Sequence, residues 1–334
     1  MSEKESIKCR AAVLYKEGEK MVVEEVLIAP PTGDQVRIRM VSAGICASDG
    51  HLAWGEQFLA DYPGHSTPIV LGHEGAGVVE SVGEKVTSVQ VGDHVLTTIT
   101  PACRDCENCS SPLTNLCSTQ SFLHLAYVPN KKLLNGTDVK GIGGLGVYSE
   151  YTLLRQSQIV KINRAANLEN AAIISCAVAT GYFAAQNQAK VQPGTTAAVW
   201  GLGAIGLNAV YGCKMAGAKN IIGIDINEDK KEVALAFGVT EFVNPKTLDV
   251  PIDEYLKQNY PNGIDYAFDC IGNQTVIDTA HKSLSLYGTL VLVGVPPKGT
   301  SLLVDVANFL TGKKVVGAFL GGKDCQEGYT ELVE

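Results

Sequence analysis

Hydrophobic and polar residues alternate along much of the first half of the chain. Val36, Ile38 and Met40 alternate with polar neighbours, which predicts a strand buried on one face. Short apolar runs at 69–71, 77–82 and 94–98 are separated by turn-forming glycine and acidic residues. Helical periodicity is scarce in this half. Residues 1–177 are therefore predicted to form a β-rich domain.

The pattern changes near residue 178 to strands that alternate with helices. The predicted strands lie near 195–200, 220–224, 241–244, 264–269, 288–295 and 313–319. Helical periodicity covers Glu228–Phe237 and Thr275–Leu284 between them. Such alternation is typical of an α/β fold with a doubly wound parallel sheet, here of six strands. The predicted domain spans residues 178–318.

A glycine-rich turn follows the first strand of this domain. Gly201, Gly203 and Gly206 form G-x-G-x-x-G before a helical pattern, and Asp225 ends the next strand 19 residues later. The glycines allow a tight turn, a close approach of a pyrophosphate and close packing of the helix on the strand. The acid can bind ribose hydroxyls. A purely structural turn is the alternative, and the surrounding pattern favours dinucleotide binding.

Composition excludes several classes of protein. The chain has 334 residues, of which 46% are hydrophobic and 19% charged, as in a globular protein of two domains. A net charge of −8 argues against a nucleic-acid surface. We see no apolar run of membrane-spanning length, and the first ten residues lack a signal peptide's apolar core. We therefore expect a cytoplasmic protein, in which ten cysteines indicate metal binding or catalysis before disulfides.

Four cysteines are clustered among turn-forming residues. Their spacing is C-x-x-C-x-x-C-x7-C, over Cys103, Cys106, Cys109 and Cys117. Four thiolates can enclose one tetrahedral Zn²⁺ with no open position, which describes a structural site. An iron–sulfur cluster is an alternative, although its usual bacterial run has three residues before the last cysteine. The third alternative is that the four thiols bind no metal.

A second set of metal-binding residue types is dispersed along the chain. Cys46 and His73 each follow a predicted strand, and Cys176 lies where the two predicted domains meet. Two thiolates and one imidazole would leave a fourth zinc position open, the arrangement of a catalytic site. Taken singly, each residue has a plainer interpretation as a small apolar core residue or a packed, hydrogen-bonded histidine.

Together, these motifs resemble those of the zinc-dependent alcohol dehydrogenases in the medium-chain dehydrogenase/reductase superfamily. The similarity runs from about residue 10 to the last residue and includes GICASDGH, GHEGAGVVESVG, the four-cysteine loop, GLGAIG, IIGIDIN and VGVPP. It implies a GroES-like catalytic domain, a Rossmann domain and, in residues 319–334, the start of a return to the catalytic domain. The implied cofactors are NAD and two zinc ions per chain.

The resemblance also implies roles for residues near the catalytic zinc. Cys46, His73 and Cys176 become its ligands, Glu74 a nearby carboxylate, and Asp49 the residue that orients His73. Ser48 and His51 become a proton relay from the substrate hydroxyl. The alternative for this pair is that Ser48 caps the following helix and His51 is an exposed polar residue.

Several residues are assigned to the cofactor. The Asp225 carboxylate repels a 2′-phosphate, which favours NAD over NADP. By resemblance, Lys230 flanks the adenosine ribose, although an exposed helical lysine is the plainer interpretation. Thr180 and Ile205 would contact the nicotinamide end of the cofactor. Backbone groups of Val293, Ala318 and Leu320 would hold its carboxamide.

The implied reaction is reversible oxidation of primary alcohols, with secondary alcohols as an extension, to aldehydes or ketones. Trp54 and Ile99 would line the substrate pocket by position. A small-molecule alcohol or aldehyde is the expected partner, with neither nucleic acid nor membrane. The segment Val304–Gly317 would pair edge to edge in a homodimer.

The chain departs from the family pattern at three places. Ala47 replaces a basic residue that often contacts the pyrophosphate. Ser121 stands where the glutathione-dependent formaldehyde class has arginine. A glutathione adduct would lose a charged partner for its carboxylate there, so it is not expected to be the substrate. The sequence stops at Glu334, about forty residues before relatives end, so a fragment or splice form is expected. A catalytically impaired or silent paralogue that still binds nucleotide and structural zinc is the alternative function.

Overall fold

The computed structural model describes residues 5–54, 66–111, 115–120, 128–304 and 306–334, without the side chain of residue 308. The chain divides into two compact units. The first is Met1–Cys176 together with Asp324–Glu334, and the second is Ala177–Lys323. The second unit thus extends five residues beyond the boundary predicted at 318. The architecture described below, a β-rich unit and a unit with a six-stranded parallel sheet, confirms the α/β fold class predicted from the sequence.

The first unit contains a small closed barrel. Its strands, in the order in which they are hydrogen-bonded, are β1 (Ile7–Leu14), β2 (Val22–Ile28), β7 (Lys131–Leu133), β8 (Asp138–Gly141) and β4 (Ile69–Val70). Alternate residues of β1 point inward, so Val13 is fully buried while Arg10 lies at the surface. The inward side chains form a separate apolar cluster.

A second sheet of the first unit carries the chain toward the candidate metal site. Its strands, again in hydrogen-bonded order, are β10 (Ile159–Lys161), β6 (His94–Thr97), β5 (Gly75–Val82), β3 (Gln35–Ala43) and β9 (Tyr151–Arg155). The predicted alternation at Val36 and Ile38 lies on β3, and both side chains are fully buried. β3 ends shortly before Cys46, and β5 begins just after His73.

The described residues of the first unit also form short helices. They are α1 (Ala47–Trp54), α2 (Glu107–Ser110), α3 (Leu168–Ala171) and, at the end of the sequence, α10 (Cys325–Val333). Single 3₁₀ turns lie at Ile142–Gly144, Gln156–Gln158 and Ala172–Ser175.

The second unit is built on a parallel sheet. Its strands are ordered β13 (Glu241–Val243), β12 (Asn220–Ile224), β11 (Thr196–Trp200), β14 (Ile264–Asp269), β15 (Leu284–Leu292) and β16 (Lys314–Gly317). β11 and β12 are nearly continuous apolar runs because both faces of the sheet are buried. Every neighbouring pair is parallel, as predicted.

Helices alternate with these strands. They are α4 (Ala177–Phe183), α5 (Ala204–Met215), α6 (Lys231–Phe237), α7 (Ile252–Asn259), α8 (Gln274–Lys282) and α9 (Val306–Phe309), with a π turn at Ala184–Ala189 and 3₁₀ turns at Glu228–Lys230, Pro245–Thr247 and Phe319–Gly322. In the described part of the chain, no single helix is long and apolar enough to cross a membrane. The consecutive segments Leu168–Ser175 and Ala177–Ala189 reach that criterion only when counted together across a bend.

The fifth strand of the parallel sheet differs from its prediction. β15 begins at Leu284, whereas the apolar run predicted a strand at 288–295. Its first part includes Tyr287, which is exposed and has φ of +61°, and the register with β14 shifts between Ile264 and Tyr266. This part of β15 therefore lacks the apolar run that identifies a buried strand, and the sequence pattern does not reveal it.

The barrel buries one lysine. Lys131 is 2% exposed, and its Nζ donates to Thr152 Oγ1 at 3.0 Å, Asn130 Oδ1 at 3.1 Å and the Leu145 carbonyl at 3.4 Å. All three acceptors are uncharged. Burial lowers the pKa of Lys131 to about 7.

We expect this lysine to make the stability of the protein depend on pH. Above its lowered pKa the folded chain has released a proton that the unfolded chain retains up to about pH 10. The free energy of unfolding should therefore fall as the pH decreases through this window, by at most about 1.4 kcal/mol per pH unit. Below the folded pKa no further loss is expected from this group.

Urea denaturation of the wild type and Lys131→Met between about pH 7 and pH 9 tests this. As the pH decreases, the wild type should lose stability relative to Lys131→Met. Lys132→Met is the matched control, because the neighbouring lysine is mostly exposed and pairs with Asp138 at 3.0 Å. A difference that is the same at every pH would contradict the prediction.

Candidate metal centres and nucleotide site

The four cysteines predicted as a structural site lie together in the first unit. The ligand atoms of Cys103, Cys106, Cys109 and Cys117 all lie within 4.8 Å of one another. The Sγ–Sγ distances are 3.9 Å for Cys103–Cys109 and 3.8 Å for Cys106–Cys117. A tetrahedral zinc with ordinary Zn–S bonds requires about 3.8 Å. The loop is therefore shaped for one tetrahedral cation.

Backbone amides of the same loop point at the sulfurs. The amides of Cys106, Cys109 and Gln120 donate to Cys103, Cys106 and Cys117 Sγ at 3.3, 3.5 and 3.2 Å. Hydrogen bonds from Ser118, and then from the backbone of Cys109, lower the pKa of Cys106 to about 5. Such donors stabilise thiolates, the form that binds metal.

The dispersed set also converges, and it includes the carboxylate beside His73. Ligand atoms of Cys46, His73, Glu74 and Cys176 lie within 4.8 Å of one another, and three of the four residues are buried. Cys46 lies between β3 and α1, His73 follows β4, and Cys176 separates the 3₁₀ turn Ala172–Ser175 from α4. Two thiolates and one imidazole beside a carboxylate fit a zinc ion with an open position.

Asp49 lies behind the imidazole. Its carboxylate is 3% exposed and accepts hydrogen bonds from Gly72 N at 2.9 Å and Cys46 N at 3.3 Å. Oδ1 lies 3.4 Å from His73 Nδ1. An imidazole that donates through Nδ1 has Nε2 available for a metal, so Asp49 fixes both its tautomer and its orientation.

Tyr148 supports the same carboxylate and was not identified from the sequence. Its hydroxyl donates to Asp49 Oδ2 at 3.0 Å and lies 3.1 Å from the Gly44 carbonyl. Burial, followed by the Asp49 charge, raises the pKa of Tyr148, so the phenol stays a donor. Its sequence context, GVYSEY, carries no motif that would have indicated this role.

Charges within the dispersed set influence one another strongly. The pKa of Cys46 is lowered to about 4, first by a hydrogen bond from Cys176, whereas that of Cys176 is raised well above its ordinary value. The two thiols thus share one proton, and a divalent cation would replace it. Burial, then the Cys46 charge, raises the pKa of Glu74 to about 7.

The residues predicted for proton transfer and substrate binding lie in the same unit. Helix α1 begins at Ala47, so Ser48 lies in its first turn, with His51 one turn later on the same side. Trp54 ends this helix and is 65% exposed. Ile99 is partly buried and packs against the core of the second sheet. Ser121 lies outside the described residues.

The glycine-rich turn has the geometry that its sequence predicts. Gly201 has φ of +87°, and a Cβ on Gly206 would lie 1.8 Å from the Gly201 carbonyl oxygen. A Cβ on Gly203 would meet nothing within 4 Å. Gly203 caps α5, so the free amides of this helix begin where a phosphate could approach.

Asp225 directly follows β12, and its carboxylate is already hydrogen-bonded to protein groups. Oδ2 accepts from Leu202 N at 2.8 Å and from Lys230 Nζ at 2.7 Å, and Oδ1 accepts from Asn227 N at 3.0 Å. Despite burial, the Lys230 contact and these amides lower the pKa of Asp225. Lys230 is therefore not simply an exposed helical residue, because it pairs with the predicted ribose-binding acid.

The remaining predicted cofactor residues lie in the second unit. Thr180 on α4 has a buried Oγ1 with no hydrogen-bond partner among the residues that the structure describes, and Ile205 lies in the first turn of α5. The amides of Val293 and Ala318 donate to the carbonyls of Asp269 and Leu292 at 3.0 and 2.9 Å. These two residues therefore have only carbonyl oxygens to offer a carboxamide. Leu320 is buried with φ of +46°.

Comparisons with known proteins cover most of the chain. The family model of the alcohol dehydrogenase GroES-like domain matches residues 32–164, and that of the zinc-binding dehydrogenase matches residues 204–334. Geraniol dehydrogenase from Carpoglyphus lactis is 49% identical over 330 residues, which are 98% of this chain and 87% of that protein.

Similar solved structures include two whose alignments cover nearly the whole chain. They are an alcohol dehydrogenase zinc-binding domain protein from Burkholderia ambifaria, with a TM-score of 0.90, and benzyl alcohol dehydrogenase from Acinetobacter calcoaceticus, with a TM-score of 0.86. Each is 30% identical, and each alignment covers 98% of this chain and 88% of the other.

Proposed function

Because the chain belongs to the zinc-dependent alcohol dehydrogenases of the medium-chain dehydrogenase/reductase superfamily, we propose that it oxidises primary alcohols to aldehydes, reversibly, with NAD⁺ as hydride acceptor. The observation that carries the proposal is the convergence of Cys46, His73 and Cys176 on one centre. Three protein ligands leave one position of a tetrahedral zinc for substrate.

The residues around that centre would have different roles. Cys46, His73 and Cys176 would hold the zinc, while Cys103, Cys106, Cys109 and Cys117 would hold a second, structural one. Zinc in the open site supplies a Lewis acid that stabilises negative charge on a substrate oxygen. Asp49 would keep His73 in the ligating tautomer.

Two side chains of α1 would transfer the proton of the alcohol away from the site. Ser48 would accept it from the substrate hydroxyl while giving up its own hydroxyl proton toward His51, and His51 would release a proton to solvent. An imidazole suits this release because its two ring nitrogens can accept a proton on one side and donate one on the other. Both residues lie on one side of the same helix, which supports a shared role.

NAD is the proposed cofactor because of the groups at the ends of β11, β12, β15 and β16. The Asp225 carboxylate would accept from the adenosine ribose and disfavour a 2′-phosphate. Its pairing with Lys230 would place a donor beside that ribose. Thr180 Oγ1 has no hydrogen-bond partner within the described part of the chain, so it offers a donor and an acceptor for the nicotinamide end. Ile205 would flank that end of the cofactor. Val293, Ala318 and Leu320 would contribute backbone groups.

The substrate is proposed to be a primary alcohol whose carbinol carbon is attached to an unsaturated carbon. The two relatives that are named for a substrate act on geraniol and benzyl alcohol, and both alcohols have this feature. Trp54 would supply an aromatic wall and Ile99 an aliphatic one. Both remain proposals from position.

A homodimer is proposed through the edge of the parallel sheet. β16 is the last strand of that sheet, and large apolar side chains near it are exposed, namely Leu303, Val306 and Leu310. An unpaired strand edge beside exposed apolar groups favours pairing with a second copy. Sedimentation of the purified protein would measure the assembly directly.

Metal content and cofactor reduction test the function. We expect two zinc ions per chain and NADH absorbance with geraniol and benzyl alcohol, stronger than with ethanol and much stronger with NAD⁺ than with NADP⁺. Absence of reduced cofactor with every alcohol, at full zinc loading, would support the silent nucleotide-binding alternative. One zinc per chain would leave only the four-cysteine site.

A further inference from the structure

The last helix of the sequence belongs to the metal-binding first unit. Helix α10 packs against the 3₁₀ turn Ala172–Ser175 and against β10. Asp324 caps its first turn by accepting from Gln326 N at 3.0 Å, and Gln326 Nε2 donates to the Ile159 carbonyl at 2.8 Å. The start of α10 is therefore fixed to the second sheet.

The same capping residue joins α10 to the four-cysteine loop. Arg104 donates to both carboxylate oxygens of Asp324, at 2.8 and 3.0 Å. A bidentate pair of this kind restricts orientation as well as distance. Arg104 itself lies between two of the cysteines and has φ of +65°. The first turn of α10 is thus fixed both to the second sheet and to the four-cysteine loop.

One turn further along, α10 presents a buried tyrosine to the backbone before Cys176. Tyr329 is 2% exposed, and its hydroxyl donates to the Ser175 carbonyl at 2.6 Å. The Thr98 hydroxyl lies 3.4 Å from the same phenol oxygen. Burial raises the pKa of Tyr329 well above its ordinary value, so the phenol keeps its proton.

The acceptor of this hydrogen bond is part of the peptide that leads into Cys176. Because a peptide unit is planar, fixing the Ser175 carbonyl also fixes the amide and Cα of Cys176. The chain turns at Cys176, with φ of −142° and ψ of −78°, between two helical segments. Neither helical segment determines the direction of the Cys176 side chain by its own geometry.

Neighbouring residues at the end of β6 support the backbones of two proposed ligands. The Thr97 hydroxyl donates to the His73 carbonyl at 3.0 Å and accepts from Gly75 N at 3.0 Å. Thr98, the next residue, contacts Tyr329. The backbones of His73 and Cys176 are therefore supported from adjacent positions of one strand end.

We propose that Tyr329 is a positioning residue for the metal ligand Cys176, acting through the Ser175 carbonyl. The proposal depends on the proposed metal site at Cys46, His73 and Cys176. Tyr329 contacts neither substrate nor cofactor in this role. Its contribution is to limit the positions that the Cys176 thiolate can adopt, and so to slow release of the metal.

Tyr329→Phe tests the proposal because it removes the hydroxyl and retains the ring. We expect zinc to leave the Cys46–His73–Cys176 site about 10-fold faster in the presence of a chelator, the lower end of the effect of losing a supporting partner. Release from the four-cysteine site should not change. Cys46→Ser, which should keep only that second site, assigns the two kinetic phases.

Tyr255→Phe is the matched control, since this tyrosine also donates to a protein group, Glu241, but lies in the second unit. It should release both ions at the wild-type rates. If Tyr329→Phe does not fold, Thr98→Val replaces it, with a smaller acceleration of the same phase expected.

The outcomes separate this inference from the function on which it rests. A wild-type protein with one zinc would overturn the proposed function. A wild-type protein with two zinc ions, and Tyr329→Phe with unchanged release from the Cys46 site, would overturn the positioning role alone. Equal acceleration of both phases would also overturn it, because a general loss of stability would then explain the result.

Discussion

Replacement of Cys46 with serine is expected to remove one of two zinc ions per chain and nearly all alcohol oxidation. Serine is close in size, but its hydroxyl remains protonated at neutral pH and replaces a thiolate poorly. Loss of a Lewis acid removes several kcal/mol of transition-state stabilisation, so kcat/KM should fall by about 10³-fold or more. Elemental analysis and steady-state kinetics measure the two effects.

Cys213→Ala is the control for this variant. Cys213 is a fully buried thiol in the apolar core of the second unit, and it lies in neither metal-binding set. The control should retain both zinc ions and lose only packing, at a cost of about 1 kcal/mol. Full zinc content together with unchanged kcat/KM in Cys46→Ser would exclude Cys46 as a ligand.

Two glycines of one turn should respond differently to the same substitution. A Cβ on Gly206 would lie 1.8 Å from the Gly201 carbonyl oxygen, so Gly206→Ala must displace the turn. We expect this variant to lose several kcal/mol of stability, as overpacking against backbone does, and dinucleotide affinity with it. A Cβ on Gly203 meets nothing within 4 Å, so Gly203→Ala should fold normally.

Gly203→Ala should nevertheless bind NAD⁺ more weakly, because the second glycine is where the pyrophosphate approaches the backbone. Thermal denaturation and cofactor titration of the two variants separate the two roles. Gly203→Ala is thus the control for the stability of Gly206→Ala, because it adds the same methyl group to the same turn where there is space for it. Equal melting temperatures for both variants and the wild type would contradict the assigned geometry.

Elements with regular local patterns could be predicted from the sequence. The strands of the parallel sheet are apolar runs because both of their faces are buried, and the glycine spacing follows from a turn that excludes Cβ atoms. The four-cysteine loop is compact in sequence as well as in space. Its distances match a tetrahedral cation without contributions from remote residues.

Contacts between distant residues could not be predicted from patterns. Tyr148 supports Asp49 across 99 residues, and Tyr329 contacts Ser175 across 154. Neither tyrosine lies in a motif, because a supporting hydrogen bond requires only a donor at the right place. The convergence of Cys46, His73 and Cys176 was inferred through family resemblance, since their spacing alone carries no geometric information.

Lys131 shows a further limit of pattern analysis. It lies beside a second lysine, Lys132, in a short strand, yet one side chain is buried and the other is exposed. Alternation along a strand predicts this difference, but it does not show which face receives the uncharged acceptors. The lowered pKa of Lys131 follows from burial, which depends on the closed barrel and not on the local sequence pattern.

The order in which the chain emerges from the ribosome bears on the helix that carries Tyr329. The second unit is one continuous segment and can fold as soon as it is synthesised, whereas the first receives Asp324–Glu334 only after translation of that segment. In a nascent chain, Cys46, His73 and Cys176 would therefore be synthesised before Tyr329, which is proposed to position Cys176. Zinc captured early would exchange freely, and firm retention would begin only after Asp324–Glu334 had been translated and packed.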